Sequence, residues 1–367
     1  VSEILAAAPG TASGGGFARH WHAGRVPGPW LLSGLAALLV LVLLFAAGQG
    51  AYGLALHELP YLLWHAAFSE AELGAAELVF FNIRLPRLLL GVAAGAGLGM
   101  AGTLMQGLFR NPLADPGLMG VSSGAALAAG ITIVLGAHWF PELPRALGSW
   151  TLVLMAFAGG LGVTLLIYTL SHGEGGVRVG LMLLAGIAVN ALAGAGLGLL
   201  SFLASDEQLR SLQFWLLGSL GGARWSAVVL VCGLTVLALG TGLRLMQALN
   251  ALALGEAQAV LLGVPVARVQ RRVIAATALA VGAVTATTGI IGFVGLVAPH
   301  MVRLLGGPDH RWVVPGSALM GASLVLLADA VARTVVAPAE LPLGVLTALV
   351  GVPFFLLLLR GAHARRL

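Results

Sequence analysis

The fold class that this sequence predicts is all-α: a polytopic integral membrane protein with about ten transmembrane helices. Three observations predict it. Hydrophobic residues fill 59% of the 367 positions against 9% charged, and the mean hydropathy is +0.99, values far outside those of water-soluble domains. The apolar residues fall in runs of about 20, the length that a helix rising 1.5 Å per residue needs to cross a bilayer. The basic residues gather between the runs and are sorted by side, as expected of a chain threaded through a membrane.

The expected spans are 30–48, 86–108, 117–136, 149–170, 180–204, 224–248, 272–289, 290–305, 312–333 and 342–360, the eighth being short. They form one membrane domain over residues 30–360. Residues 1–29 carry Gly, Ser, Pro and Arg without an apolar core and read as a disordered cytoplasmic tail, with a second tail at 361–367. No cleavable signal peptide is visible, although Leu31 to Phe45 has the length of an h-region.

All 19 basic residues are arginines. With both termini inside, Arg19, Arg25, Arg110, Arg178, Arg244, Arg268, Arg271, Arg272, Arg303, Arg311, Arg360, Arg365 and Arg366 are cytoplasmic. Only Arg84, Arg87, Arg145, Arg210, Arg224 and Arg333 lie outside, where most of the acids also fall. Positive loops stay in the cytoplasm, so the net charge of +5 is a topology signal and calls for no nucleic-acid partner. The single cysteine, Cys232, sits in an apolar run and excludes a disulfide within the chain.

Without lysine the chain cannot build a P-loop, whose lysine reaches the nucleotide phosphates. HExxH and GxSxG are absent, and the nine histidines are dispersed. No metal site is expected. What remains is a pore, a carrier, or the membrane half of a machine powered by another subunit.

Few polar groups lie at membrane depth. Asp329 is the one acid well inside a span, four residues before Arg333 on the same helix face, so a local ion pair is expected; a proton-coupled carrier would instead use it as its ion site. Gln106 and Asn190 read first as hydrogen bonds between helices. Gly91, Gly95, Gly99 and Gly102 make a small-residue face on the second span and predict close helix packing. Gly289, Gly292, Gly295 and Pro299 predict a broken backbone where spans seven and eight join. A faint echo links "DPGLMGVSSGAALAAG" near 115–130 with "VPGSALMGASLVLLAD" near 314–329, which a true repeat would relate by inversion.

The inner loop at about 249–271, "LNALALGEAQAVLLGVPVARVQRR", is helix-compatible from Gly255 to Gly263. Gly255, Ala259 and Gly263 at i, i+4 and i+8 predict a smooth stripe on which a partner docks. Pro265 ends it, and Arg268, Arg271 and Arg272 anchor the next span at the inner face. In "RNPLADPG", Asp115 can cap and Pro116 can open the following helix.

At this point the chain resembles a known family. "RLPRLLLGVAAGAGLGMAGTLMQGLFRNPLADPGLMGVSSGAAL", "ALGEAQAVLLGV", "GFVGLVAPHMVRLL", "DHRWVVPGSALMGASLVLLADAVAR" and "ELPLGVLTALVGVPFF" resemble, in order, the motifs of the FecCD or BtuC-like permeases of iron-siderophore, haem and vitamin B12 importers. The resemblance covers about residues 80–360 and implies a type II ATP-binding-cassette importer permease of the bacterial inner membrane. It implies a homodimer, two cytoplasmic ATPase subunits that bind the ATP, and a periplasmic substrate-binding protein. On the family pattern Arg84, Arg87 and Arg333 receive acidic residues of the binding protein, and Gly255, Glu256, Ala259, Leu262 and Gly263 couple to the ATPase. "SFLASDEQLRSLQFWLLGSLGGARW" is most similar to the haem branch, which places Arg210 against haem propionates at the entrance of the path. Gln106 and Asn190 are further candidates for the path. Haem is then expected as cargo without strong ligation in this chain, siderophore or cobalamin being the alternatives.

Overall fold

The computed structural model describes residues 25–50, 56–58, 60–61, 64–65, 74–139, 142–173, 176–336 and 339–364. Ten long or apolar helices carry the fold: α1 Gly28–Gly48, α2 Leu85–Phe109, α3 Val121–Trp139, α4 Trp150–Ser171, α5 Val179–Leu203, α6 Trp225–Ala253, α7 Val266–Thr288, α8 Val294–Gly306, α9 His310–Thr334 and α10 Leu343–Ala364. Short helices Asp206–Leu217 and Glu256–Leu261 follow α5 and α6, and the described strands are a two-residue ladder, His172–Gly173 with Gly176–Val177.

Among the described residues seven helices are long and apolar enough to cross a bilayer, against the ten expected: α1, α2 with its preceding turns from Ala75, α4, α5, α6, α7 and α9. Shorter apolar stretches, Val121–Gly136, Val294–Gly306 and Leu343–Leu356, stand where the third, eighth and tenth spans were expected. The chain shortens two of them by its own chemistry. The run expected from 117 opens as a 3₁₀ turn, Pro116–Met119, closed by a left-handed Gly120, and α8 starts only after the backbone has broken between Gly289 and Phe293. In α10, Pro353 lies inside the helix and removes one ladder donor.

Residues 1–24 lie outside the described residues, but Val26 donates its N–H to Leu305 O at 2.9 Å, and α1 begins at Gly28. At the other end α10 continues to Ala364, through most of the segment expected as a tail. The echo between 115–130 and 314–329 finds no common backbone, one stretch being loop, 3₁₀ turn and helix, the other helix throughout.

Helix α2 is the axis. It packs on α9, α6, α7 and α8, and all but a few of its residues are buried. A Cβ built on Gly95 would stand 2.3 Å from Gly321 O, and one on Gly99 2.1 Å from Ser317 O. On Gly102 it would stand 1.7 Å from Gly295 O. No hydrophobic driving force joins helices in lipid, so this backbone proximity, with its dispersion contacts, is what holds them. Around the axis, α1 lies on α9, and α3, α4 and α5 form a second group reached through α7.

Gly102→Ala is therefore expected to lower the thermal unfolding midpoint of the purified chain, by an overpacking cost of about 1–3 kcal/mol. Gly194→Ala, on α5 where nothing lies within 4 Å of the new methyl, is expected to raise it slightly, by about 0.4–1 kcal/mol. Equal midpoints for the two variants would overturn the axial packing.

Candidate functional site

The ends of the bundle hold most of its polar chemistry. At one end the carboxyl terminus of α1 meets the start of α2 and the end of α9. The last carbonyls of a helix lack partners and carry partial negative charge, and two arginines supply them. Arg84 Nη1 donates to Ala47 O at 2.7 Å, while Arg333 donates to Gln49 O at 2.9 Å and to Ala46 O at 3.3 Å. Arg84 sits in a π-helical turn, Phe80–Arg84, that hands over directly to α2.

Arg87, one turn into α2, is held by two carboxylates. Its Nε and Nη2 donate to Asp329 Oδ1 at 3.0 and 2.9 Å, and Nη1 and Nη2 donate to Glu340 at 2.8 and 2.9 Å. Asp329 is 1% exposed and also receives Arg333 Nε at 3.1 Å. The local pair expected between Asp329 and Arg333 is present, enlarged by Arg87 and Glu340. Such planar, multidentate pairing is what guanidinium provides and a lysine would not. Glu340, before α10, is the exposed member at 43%, and the Arg87 hydrogen bonds hold its carboxyl below the usual range.

The structure thus brings together all three arginines expected to face a partner, and turns them inward. Arg84 and Arg87 are 6% and 8% exposed, and Arg333 is half-buried. Glu340 is the member that sequence reasoning missed: eleven residues from Asp329, it shows no periodicity that links it to Arg87.

Beside this cluster, Ser205 caps the helix Asp206–Leu217 in a reciprocal capping box with Gln208. Arg210 on that helix is exposed. The helix ends at a junction of three backbones. Leu343 N–H donates to Gly218 O at 2.9 Å and Ser219 N–H to Thr288 O at 2.7 Å, while a Cβ on Gly289 would stand 2.1 Å from Trp215 O. Gly289 has φ +74°, and Phe293, at φ +65°, is a non-glycine residue in the left-handed region. The broken backbone expected from the glycines is therefore here, and it fixes the carrier helix of Arg210.

Gln106 and Asn190 bond between helices. Gln106 is buried; its Nε2 donates to Gly295 O at 3.2 Å and its Oε1 accepts from Arg303. Asn190 Oδ1 accepts from Ser123 Oγ at 2.5 Å and its Nδ2 donates to Gly117 O at 3.4 Å. Both tie separate helices and turns together. Asp115 Oδ1 accepts Gly117 N–H at 2.7 Å, so the expected cap is present, on a 3₁₀ turn.

The inner loop departs from its expected form. The helix covers only Glu256–Leu261; Gly255 and Gly263 flank it at φ +116° and +79°, and Ala259 is fully buried. The smooth stripe of Gly255, Ala259 and Gly263 is hence not an open face. What projects is an apolar ridge, Val260, Leu261 and Leu262, exposed at 60, 87 and 64%, beside exposed Glu256. Sequence reasoning took the small residues for the docking side because it extended the helix through both glycines.

Next to this loop Asp309 caps α9. It accepts Arg311 N–H and Nε at 2.9 Å and Asn250 Nδ2 at 2.7 Å. Burial would raise its carboxyl, but these hydrogen bonds and the Arg311 charge outweigh it and hold it at about 2. Among the described residues no group of His, Cys, Asp or Glu is placed to hold a metal.

Two outcomes follow from these geometries. Asp329→Asn, which leaves Arg87 and Arg333 with a neutral partner inside the protein, is expected to cost about 3–5 kcal/mol, against under about 1 kcal/mol for the exposed Glu340→Gln; unfolding midpoints in detergent compare them. Because the folded pKa of Asp309 is depressed, its contribution is present above about pH 4 and disappears as pH falls toward about 2. The midpoint difference between the native chain and Asp309→Asn should shrink across that window, and a constant difference would overturn the assignment.

Comparison with known proteins assigns the architecture. Residues 37–361 match the FecCD transport family. A hemin transport system permease protein of Yersinia pestis is 45% identical over 343 residues, 94% of this chain and 99% of that protein. A vitamin B12 import system permease protein of Shigella boydii is 39% identical over 334 residues, 91% of this chain and 95% of the other. A solved structure, described as an inward-facing conformation of a metal-chelate type ABC transporter, superposes with a TM-score of 0.78 at 32% identity, covering 91% of this chain and 99% of that one. An all-α membrane bundle with broken helices, capped polar ends and no lysine for an ATP site thus belongs to the FecCD transport family, as a membrane permease subunit of an ATP-binding-cassette importer.

Proposed function

We propose that the chain carries haem from the periplasm to the cytoplasm across the bacterial inner membrane, as one half of a homodimer driven by two cytoplasmic ATPase subunits and fed by a periplasmic binding protein. The observation that carries the reading is the 45% identity, over nearly the whole of both chains, to a hemin permease. Ten spans with both termini cytoplasmic follow from the arginine distribution, the three shorter apolar helices completing the set.

The end bearing Arg84, Arg87 and Arg333 is the periplasmic one in this reading, and the binding protein docks there. Since Arg87 already holds two carboxylates, an arriving acid competes with Glu340, the exposed and loop-borne one. Exposed ion pairs contribute little affinity but steer encounter and fix register. Arg210 meets the haem propionates, Gln106 and Asn190 set the spacing of the helices along the path, and Gly255 to Gly263, through the ridge that Leu262 shares, engages the ATPase. The ridge is an exposed apolar patch, the kind of surface that marks an interaction site.

A siderophore or cobalamin permease is the second reading, supported by the 39% identity to a vitamin B12 permease. A stand-alone proton-driven carrier loses its candidate site, because Asp329 is enclosed by Arg87 and Arg333.

Reconstitution of the chain with its ATPase and binding protein in liposomes, with ATP-dependent uptake of haem, a ferric siderophore and cobalamin measured in parallel, tests the cargo; uptake of either of the others without haem would sink the haem reading. In the same assay Arg210→Ala should lower haem uptake severalfold, and Leu261→Asp should uncouple transport from ATP hydrolysis. Glu340→Gln should tighten binding-protein affinity while Arg84→Glu weakens it, as read by titration against the complex in nanodiscs.

A further inference from the structure

Among the arginines that take part in none of the networks above, two share a cavity. Arg244 on α6 and Arg272 on α7 are exposed, make no hydrogen bond or ion pair among the described residues, and together with Thr241 and Leu245 line one cavity of about 290 Å³. Arg84, Arg87 and Arg333 are matched to carboxylates or helix-end carbonyls; here two guanidinium groups share a concave site with a hydroxyl and no acid.

Depth identifies what they face. Arg244 lies 19 residues into α6, about 29 Å from the helix start near the arginine cluster, which is the thickness of a hydrocarbon core of about 30 Å. The last nine residues carry α6 about 13 Å further, so the loop with the Val260–Leu262 ridge stands clear of the headgroup level. Arg272, six residues into α7, falls at the level of Arg244, as the shared cavity requires. Toward the middle of the membrane the same face of α6 is apolar and exposed, with Val236 at 66% and Leu237 at 57%. A ligand there meets paired guanidinium groups at one end and open hydrocarbon at the other.

We propose that Arg244 and Arg272 form a binding site for the phosphate of an anionic phospholipid of the cytoplasmic leaflet, Thr241 lining its inner wall and the acyl chains lying along Val236 and Leu237. The phosphodiester receives both guanidinium groups, and the lipid fills the groove between α6 and α7. A free phosphate would satisfy the arginines but leave the apolar face unused.

The test uses the full chain in neutral detergent, with native mass spectrometry against cardiolipin, phosphatidylglycerol and phosphatidylcholine. The double substitution R244Q/R272Q should weaken binding of the anionic lipids about thirtyfold, leave phosphatidylcholine unchanged, and keep the unfolding midpoint. R268Q/R271Q removes the same charge next to the cavity and should change little. Equal losses in the two double variants would make the attraction a diffuse basic surface and overturn the site, as would no loss in either. Displacement of the lipid by millimolar inorganic phosphate would make it a free-anion site instead. Independently of any variant, phosphatidylglycerol but not phosphatidylcholine should protect Arg244 and Arg272 of the native chain from phenylglyoxal, read by peptide mapping; unprotected arginines would reject the proposal.

Discussion

Contact between backbones along α2 is the constraint on which the rest of the structure depends. In a bilayer the lipid tails are as apolar as any side chain, so burial of leucine against leucine brings no net gain. What does bring gain is close approach. Gly95 against Gly321, Gly99 against Ser317 and Gly102 against Gly295 allow α2 to reach α9 and the start of α8 nearly without side chains between them. Once α2 is enclosed in this way, α1 and α6 and the group of α3, α4 and α5 must be arranged around an axis that has little exposed surface left.

The same physics inverts the usual relation between hydropathy and burial. In the most apolar 18-residue stretch of α5, of mean hydropathy 2.0, 17% of the residues are buried, whereas in that of α7, at 1.2, 78% are. Lipid is the apolar solvent here, and the protein interior is where polar groups find partners. Gln270 in α7 accepts Val177 N–H at 3.1 Å, and Gln106 in α2 bridges Gly295 and Arg303. The ionic cluster of Arg87, Asp329 and Glu340 follows the same logic at the helix ends, where its charges stand at the edge of the hydrocarbon and each is met by another.

Much of this was legible in the sequence, and the unread part has a common cause. Apolar runs and arginine sorting reported the class of fold because they record the solvent of each residue directly. The glycine face of α2 and the break at Gly289 were readable for a related reason: a missing side chain has meaning whatever lies opposite. The misreadings arose where a local pattern had to be extended. Gly255, Ala259 and Gly263 have helical spacing, but two of the three are in left-handed backbone and the third is turned inward, so the exposed side is Val260 to Leu262. Arg84 and Arg333 also bond carbonyls of α1 and its cap, partners too distant in sequence for a local pattern to reveal. Glu340 was invisible for the same reason.

The arginine ends also bear on how a rigid bundle can respond to partners. Arg87 is fixed by Asp329 on the inside and by Glu340 on the outside, and Glu340 precedes α10, whose first residue is bonded to Gly218 at the backbone junction. In the docking proposed above, a carboxylate taking the place of Glu340 would release the segment leading into α10 from Arg87 while the Arg87 and Asp329 pair stays buried. Such an exchange replaces one ion pair by another and has a small net free energy, so it can be driven by a docking partner and reversed on release. The pairing at Asp329 is the opposite kind, enclosed by two arginines and costly to open. One end of the molecule thus combines a buried charge pair that keeps α2 and α9 in register with an exposed one linked, through the segment before α10, to the backbone junction at Gly218.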